Sequence, residues 1–474
     1  MKNLSNNSLI FSLIFFASCT GGGQQSAKQE DQSKFTGAQG EVKLMTLDPG
    51  HFHAALIQKT MYEQVDPTVY VYAPEGTDVQ DHLAKIEGFN TRAENPTNWD
   101  IKVYTGADYL GKMIAEKPGN VMMVSGNNAK KTEYIKAAAD AGINIFADKP
   151  MAINTEGFTL LEEAFKSAEA NGVLLYDIMT ERHEITTIIQ RELSKVPEVF
   201  GVLKEGTAEE PAITKESVHH FFKEVAGSPL KRPTWFFDTK QQGEGIVDVT
   251  THLVDMIQWE AFPEQPLYKS DVELVNARRW TTPLSLEQFN KVTQKNAFPE
   301  FLEKDMVDGK LQVYSNGEIT YKLKGKYAKV SVIWNFEAPQ GAGDTHYSIM
   351  RGSLCDVIIR QGEEENYKPT VYIRATIDEG LETFEGGLSK AINQDIATMY
   401  PGLKLVKLED ALWTVEIPDK YKVGHEAHFG QVTEKFLRYL KWGKLPEWEV
   451  PNMITKYYTT TKALEMATSA SASK

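Results

Sequence analysis

Cysteine is nearly missing: the 474 residues hold two, Cys19 and Cys355. That excludes a disulfide framework and a zinc site built on thiolates. Positive charge is also short. Lys and Arg number 51 against 65 Asp and Glu, a formal net charge of −14, and no basic cluster stands out. Such a surface repels phosphate backbones, so nucleic acid is excluded as a partner. The apolar run from Leu9 to Ala17 is too short to cross a bilayer. The last shortage is glycine where it is most expected. The stretch LMTLDPGHFHAALIQ, Leu44 to Gln58, has the order of strand, tight turn and helix found in nucleotide-binding proteins, yet keeps Gly50 alone of three glycines.

What is present begins with an export signal. Residues 1–19 combine one lysine, a short apolar run and small residues before a cysteine, the pattern of a signal peptide. Phe16-Ala17-Ser18-Cys19 resembles a bacterial lipobox, with Cys19 the lipidated residue. Residues 20–41, rich in Gly, Gln and Ser, read as a flexible tether. The expected location is therefore the periplasm, anchored by lipid to the outer membrane, with no other membrane contact.

From Lys43, strand and helix patterns alternate: KLMTLD, TVYVYAP, IKVYTG, NVMMVSG, INIFADKPM and GVLLYDIM read as strands with helices between them. Residues 42–182 are thus predicted to form a Rossmann-like, doubly wound parallel sheet in an α/β domain. Its ligand belongs beyond the carboxyl ends of the strands. There stand Gly50, His51 and Phe52, then Glu75, then Ser125, Asn127 and Asn128, then Asp148 and Lys149. Gly50 aligns with the middle glycine of the dinucleotide fingerprint, the one nearest the phosphates. A helix is expected to start near His51. Glu75 lies at the right distance to hold an adenosine ribose.

Two motifs sharpen the reading. Ala147 to Met151, ADKPM, ends a predicted strand. Gln241 to Trp259, QQGEGIVDVTTHLVDMIQW, enters a helix through Gly243 and Gly245 and sets Asp248, His252 and Asp255 on one face. A carboxylate one turn from an imidazole can orient it as a general base. In these motifs the sequence resembles the glucose–fructose oxidoreductase/inositol dehydrogenase (Gfo/Idh/MocA) family. Asp148-Lys149-Pro150 stands for its E-K-P motif, and the Gly243 to Asp255 segment for its second-domain helix. DPGHFHAAL is similar to the first loop of a lipoprotein branch with a longer C-terminal domain.

The resemblance implies an NAD-dependent enzyme, with NADP as the other option, acting on a ring hydroxyl of a sugar or glycoside. It implies that Lys149 binds the reacting hydroxyl, that His252 takes its proton with Asp248 orienting the ring, and that Asp148 lies near the nicotinamide ribose. An exported enzyme finds little cofactor outside the cytoplasm, so tight retention is expected. Two alternatives stand beside the dehydrogenase: a glycosidase working by transient oxidation, elimination and re-reduction, and a non-catalytic carbohydrate-binding lipoprotein.

Residues 183–474 turn to strands separated by turns and end in helices, predicting an α+β, mostly antiparallel substrate-binding domain that also makes a homo-oligomer, dimer or tetramer. Ser315 to Glu318, SNGE, carries a hairpin signal. Arg182, His183 and His346 are candidate substrate contacts, with His219, His220 and Lys223 behind them. Gly424 to His428, GHEAH, lacks the spacing of a zinc-protease helix, and no metal site is expected.

Overall fold

Apolar β-branched runs such as VMMV and NIFAD cannot leave either face in water, so they pair side by side beneath helices. The computed structural model describes residues 35–225, 228–339 and 341–472, which form one compact unit. The signal peptide, Cys19 and most of the tether lie outside the described residues. Among the described residues no helix is long and apolar enough to cross a membrane.

Six parallel strands form the first sheet: β1 (Leu44–Leu47), β2 (Thr68–Ala73), β3 (Asp100–Thr105), β4 (Val121–Val124), β5 (Asn144–Asp148) and β6 (Leu175–Ile178). Their spatial order is 3-2-1-4-5-6, the doubly wound arrangement, with its switch point between β1 and β4. β1, β4, β5 and β6 are buried along their whole length. The last two helices, His425–Trp442 and Glu449–Ala472, return to this sheet. Phe436 stacks on Phe146 with ring centres 4.7 Å apart, and Phe429 and Tyr457 lie in the same core.

β7 (Ile213–Phe222) opens the second half, followed by a ribbon of β8 (Glu224–Val225) and β9 (Ser228–Pro229). β10 (Val272–Leu284), β11 (Met306–Val307), β12 (Lys310–Leu323), β13 (Lys326–Glu337), β14 (Thr345–Arg351), β15 (Cys355–Arg360), β16 (Thr370–Ala375), β17 (Lys404–Glu409) and β18 (Leu412–Glu416) complete a mixed sheet with β7. Every pairing in it is antiparallel except β7 with β13. A Rossmann-like parallel sheet followed by a mostly antiparallel one is the expected fold class.

Two local expectations are corrected. SNGE makes no hairpin: it runs inside the continuous strand β12. Asn316 spends its amide on Trp280 O, Thr282 Oγ1 and the Trp334 N–H, which holds it in the sheet. Gly317 instead permits close approach, since a Cβ there would stand 2.6 Å from the Ile246 side chain. The helix expected from His51 is a single turn, His53–Leu56.

Candidate active site

The carboxyl ends of β1, β4, β5 and β6 face the second sheet across a cavity of about 480 Å3. β5 ends at Asp148, which brings Lys149 to the rim. The Lys149 ammonium donates to Asp248 Oδ1 at 2.7 Å, joining the two halves of the chain. Asp248 also accepts from Gln242 Nε2 at 3.1 Å. His252, in the helix Thr250–Ala261, lines the same cavity with its Nδ1 buried and unpartnered. Burial, reinforced by the Lys149 charge, holds its pKa well below the ordinary value, so the imidazole is neutral and open to a proton. Lys149, Asp248 and His252 are therefore brought together. Asp248 bonds Lys149 and Gln242 rather than His252, so the predicted Asp248–His252 pair is not formed.

Asp255 is elsewhere. Its two oxygens accept from Arg182 Nε and Nη2 at 2.6 Å, and Oδ1 also from the Lys456 ammonium at 2.8 Å. Arg182 also donates to Glu449 at 3.0 Å. The substrate role expected of Arg182 is thus corrected: the guanidinium, 4% exposed, is fully used in an ion network pinning the end of β6 to the final helix. His183 is not among the cavity-lining residues. Burial and the Lys435 charge push its pKa down to about 3. Glu75 is exposed and also outside the cavity, which leaves the ribose contact unformed. His346 does reach the cavity, its Nε2 buried without a partner.

The first-loop residues converge on Asp148. Its Oδ2 accepts from Ser125 Oγ at 2.7 Å and lies 3.0 Å from His53 Nδ1 and 3.7 Å from His51 Nδ1. Burial opposes this charge, but the His53, Lys131 and His51 partners hold its pKa well below the carboxylate range. His51, His53 and Asp148 place one donor atom each within 4.8 Å of one another, the donor set of a divalent cation. Lys131, whose ammonium donates to Asp148 O at 3.1 Å, puts a competing positive charge beside it.

A dinucleotide implied by the fold meets two environments here. At the ring end the fit is good: Phe52, Lys149, Asp248 and His252 surround a space of nicotinamide-plus-sugar size. At the diphosphate end the cradle is closed. A Cβ on Gly50 would meet Asp78 Oδ2 at 2.8 Å and the Trp235 ring at 3.1 Å, and these two are joined by a 2.8 Å bond from the indole N–H. The Gly50 and His51 amides already donate to Asp48 O and Ser125 O. Asn127 and Asn128, expected at the cofactor, donate to Gln241 Oε1 and Gln242 O at 2.7 Å. A diphosphate reaches Gly50 only with Trp235 and Asp78 displaced.

The sequence offers several of the other lining groups singly, without the arrangement that joins them. His425 stacks on His53 with ring centres 4.8 Å apart. Glu181 is a half-buried carboxyl pushed up to about 7, chiefly by desolvation. Ser217 and His219 lie two apart on β7 and so share a face, with Trp334 opposite His219 on β13 and His346 opposite Ser217 on β14. Only the strand registers reveal that wall.

The family described as "Putative oxidoreductase C terminal domain" matches residues 189–468. The chain belongs to that oxidoreductase family. The Gfo/Idh/MocA resemblance drawn from the two motifs stands with it. The chain is 60% identical to a solved oxidoreductase from Parabacteroides merdae, with 92% of this chain and 100% of that one covered and a TM-score of 0.91. More distant likenesses show the fold alone. A levoglucosan dehydrogenase solved with NADH and levoglucosan is 13% identical, covering 90% of this chain and 97% of that one, TM-score 0.57. A 3-ketoreductase from Actinomadura kijaniata solved with NADP is 12% identical, covering 89% and 96%, TM-score 0.53. No curated relative matches the chain.

Proposed function

We propose that this family member is a nicotinamide-dependent dehydrogenase of a carbohydrate, taking hydride from the carbon that bears a ring hydroxyl of a sugar or glycoside. One observation carries the reading: Lys149, bonded to Asp248 at 2.7 Å, and the unpartnered His252 share one cavity at the strand ends. Bound dinucleotide supplies the hydride acceptor. Lys149 donates a hydrogen bond to the hydroxyl oxygen, and Asp248 fixes the ammonium. Neutral His252 accepts the hydroxyl proton as the carbonyl forms. That the sugar-active proteins named above share this fold supports the choice of substrate class. We further propose export and lipid anchoring at Cys19, with a cofactor that seats by displacing the Trp235–Asp78 closure and is then retained between turnovers.

That same closure favours one competing reading, a carbohydrate-binding protein that no longer takes a dinucleotide. The test is to heat-denature the purified protein and assay the supernatant for nicotinamide nucleotides. The remaining native protein is then titrated with NAD+ and given assorted glycosides. Released or bound nucleotide, with a keto-glycoside formed, is the expected result. Absence of nucleotide in both arms selects the binding protein.

A further inference from the structure

Besides His252, the cavity holds a histidine that a carboxylate does orient, and the dehydrogenase reading leaves it idle. His219 projects from β7 on the wall opposite Lys149. Its Nδ1 lies 3.2 Å from Asp344 Oδ2, and its Nε2 lies 2.6 Å from Ser217 Oγ. A carboxylate can only accept, so Nδ1 carries the proton and Nε2 presents the lone pair, taking the Ser217 hydroxyl as donor. Asp344 is itself held by His220, through backbone N–H at 3.1 Å and ring Nδ1 at 3.2 Å, and by Lys223 at 2.5 Å. Trp334 stacks on the His219 ring with centres 5.1 Å apart, fixing its plane. Ser217, His219 and Asp344 all line the same cavity as Lys149, Asp248 and His252. The Lys149 charge acts on His219, and Arg232 feels Asp344 and Asp248 alike, so the two sets stand across a single space. Burial keeps the imidazole in its neutral form.

Oxidising one hydroxyl needs one base, and His252 fills that role. The ketone so formed acidifies the C–H bonds on the neighbouring carbons. We propose that His219 is a second base, which removes a proton from the carbon adjacent to the ketone of a keto-glycoside. The C–H bond breaks, its electron pair forms a C=C bond, and the carbonyl becomes an enediolate oxygen facing Lys149. The proton resides on His219 Nε2, with the imidazolium stabilised by Asp344. Return of a proton to the same carbon restores the ketone, so no oxidant or reductant is consumed. Asp344 is a positioning residue in this scheme. The substrate class, a carbonyl-bearing pyranoside, rests on the proposed dehydrogenase reading.

The test bypasses oxidation. A methyl glycoside already carrying a ring ketone is incubated with the full chain in D2O, without nicotinamide, and deuterium at the adjacent carbon is followed by NMR against a protein-free blank. Wild type is expected to accelerate incorporation at least tenfold over the blank. H219Q and, as a second replacement, H219N return it to the blank rate. D344N lowers kcat for exchange with KM nearly unchanged, and D344E restores part of it. Incorporation at the blank rate in wild type, or within twofold of wild type in a folded H219Q or H219N, overturns the proposal. Exchange without dehydrogenation of the parent glycoside sinks the dehydrogenase reading alone.

Discussion

At the scale of the residue, His252 is chemically poised by what it lacks. An imidazole with a buried, free Nδ1 near an ammonium is neutral at working pH, and a neutral ring accepts a proton. Replacing it with Gln is expected to lower kcat by about 10^2–10^4-fold, the usual worth of a general base, as measured in steady-state assays with dinucleotide binding followed separately. Glu181 sets a second expectation. Its carboxyl, pushed up to about 7 mainly by burial and further by Glu184, ionises within the assay range. Above that pH a negative charge enters the cavity and stabilises the imidazolium forming on His252. The kcat/KM profile should rise through about pH 7, and Glu181→Gln should remove that limb. A profile unchanged by the substitution would detach Glu181 from the chemistry.

At the scale of the element, the catalytic helix is aimed by a strand it nearly touches. A Cβ on Gly245 would lie 1.7 Å from Ser315 O on β12, and the Gly245 N–H donates to Tyr314 O at 3.0 Å. Gly245→Ala must push the segment leading to Asp248 off the strand. A loss of about 1–3 kcal/mol in urea unfolding, typical of overpacking, is expected together with weaker substrate turnover. The same helix is pinned at Asp255, between Arg182 and Lys456. Asp255→Ala leaves two buried cations short of a partner and should destabilise by about 3–5 kcal/mol. These cases show what was legible. The alternation of strands and helices is a period that any window of sequence carries, and DKP with D-x-x-x-H gave Lys149, Asp248 and His252 their common neighbourhood. A charged residue at a strand end reads the same whether it faces a ligand or a buried countercharge. Arg182 therefore reads locally as a substrate contact, whereas its actual partners, Asp255 and Glu449, lie 73 and 267 residues away. Ser315 to Glu318 failed for a kindred reason: Asn-Gly signals a turn locally, while its partners, Trp280, Thr282 and Ile246, are set by the sheet. The His219 wall exists only through strand register, which no single segment encodes.

At the scale of the whole molecule, the histidines tie stability to pH. Eight of the ten imidazoles have pKa values below the ordinary one, with desolvation the first cause in every case. The sign follows from proton counting. In the unfolded chain each ring takes up a proton as pH falls through about 6.5, while the folded chain refuses it until about pH 3 for His82, His183, His346 and His425. The stability these residues contribute is complete above pH 6.5 and is lost between there and the folded pKa, at about 1.4 kcal/mol per pH unit for each ring. Carboxylates held low by their partners, such as Asp344 and Asp255, begin to add to the loss only as pH falls below about 4. His82 isolates the effect, being 3% exposed, not among the cavity-lining residues, and unpartnered at both ring nitrogens. Between pH 7 and pH 5 it alone should account for about 2 kcal/mol of lost stability. His82→Leu removes the titrating group while keeping an apolar side chain in the helix Thr77–Thr91. Urea melts of the two proteins should therefore diverge on acidification, the variant gaining about 2 kcal/mol on wild type from pH 7 to pH 5. Parallel curves would mean that His82 is hydrated in solution, and the acid sensitivity would then have to come from the rings lining the cavity.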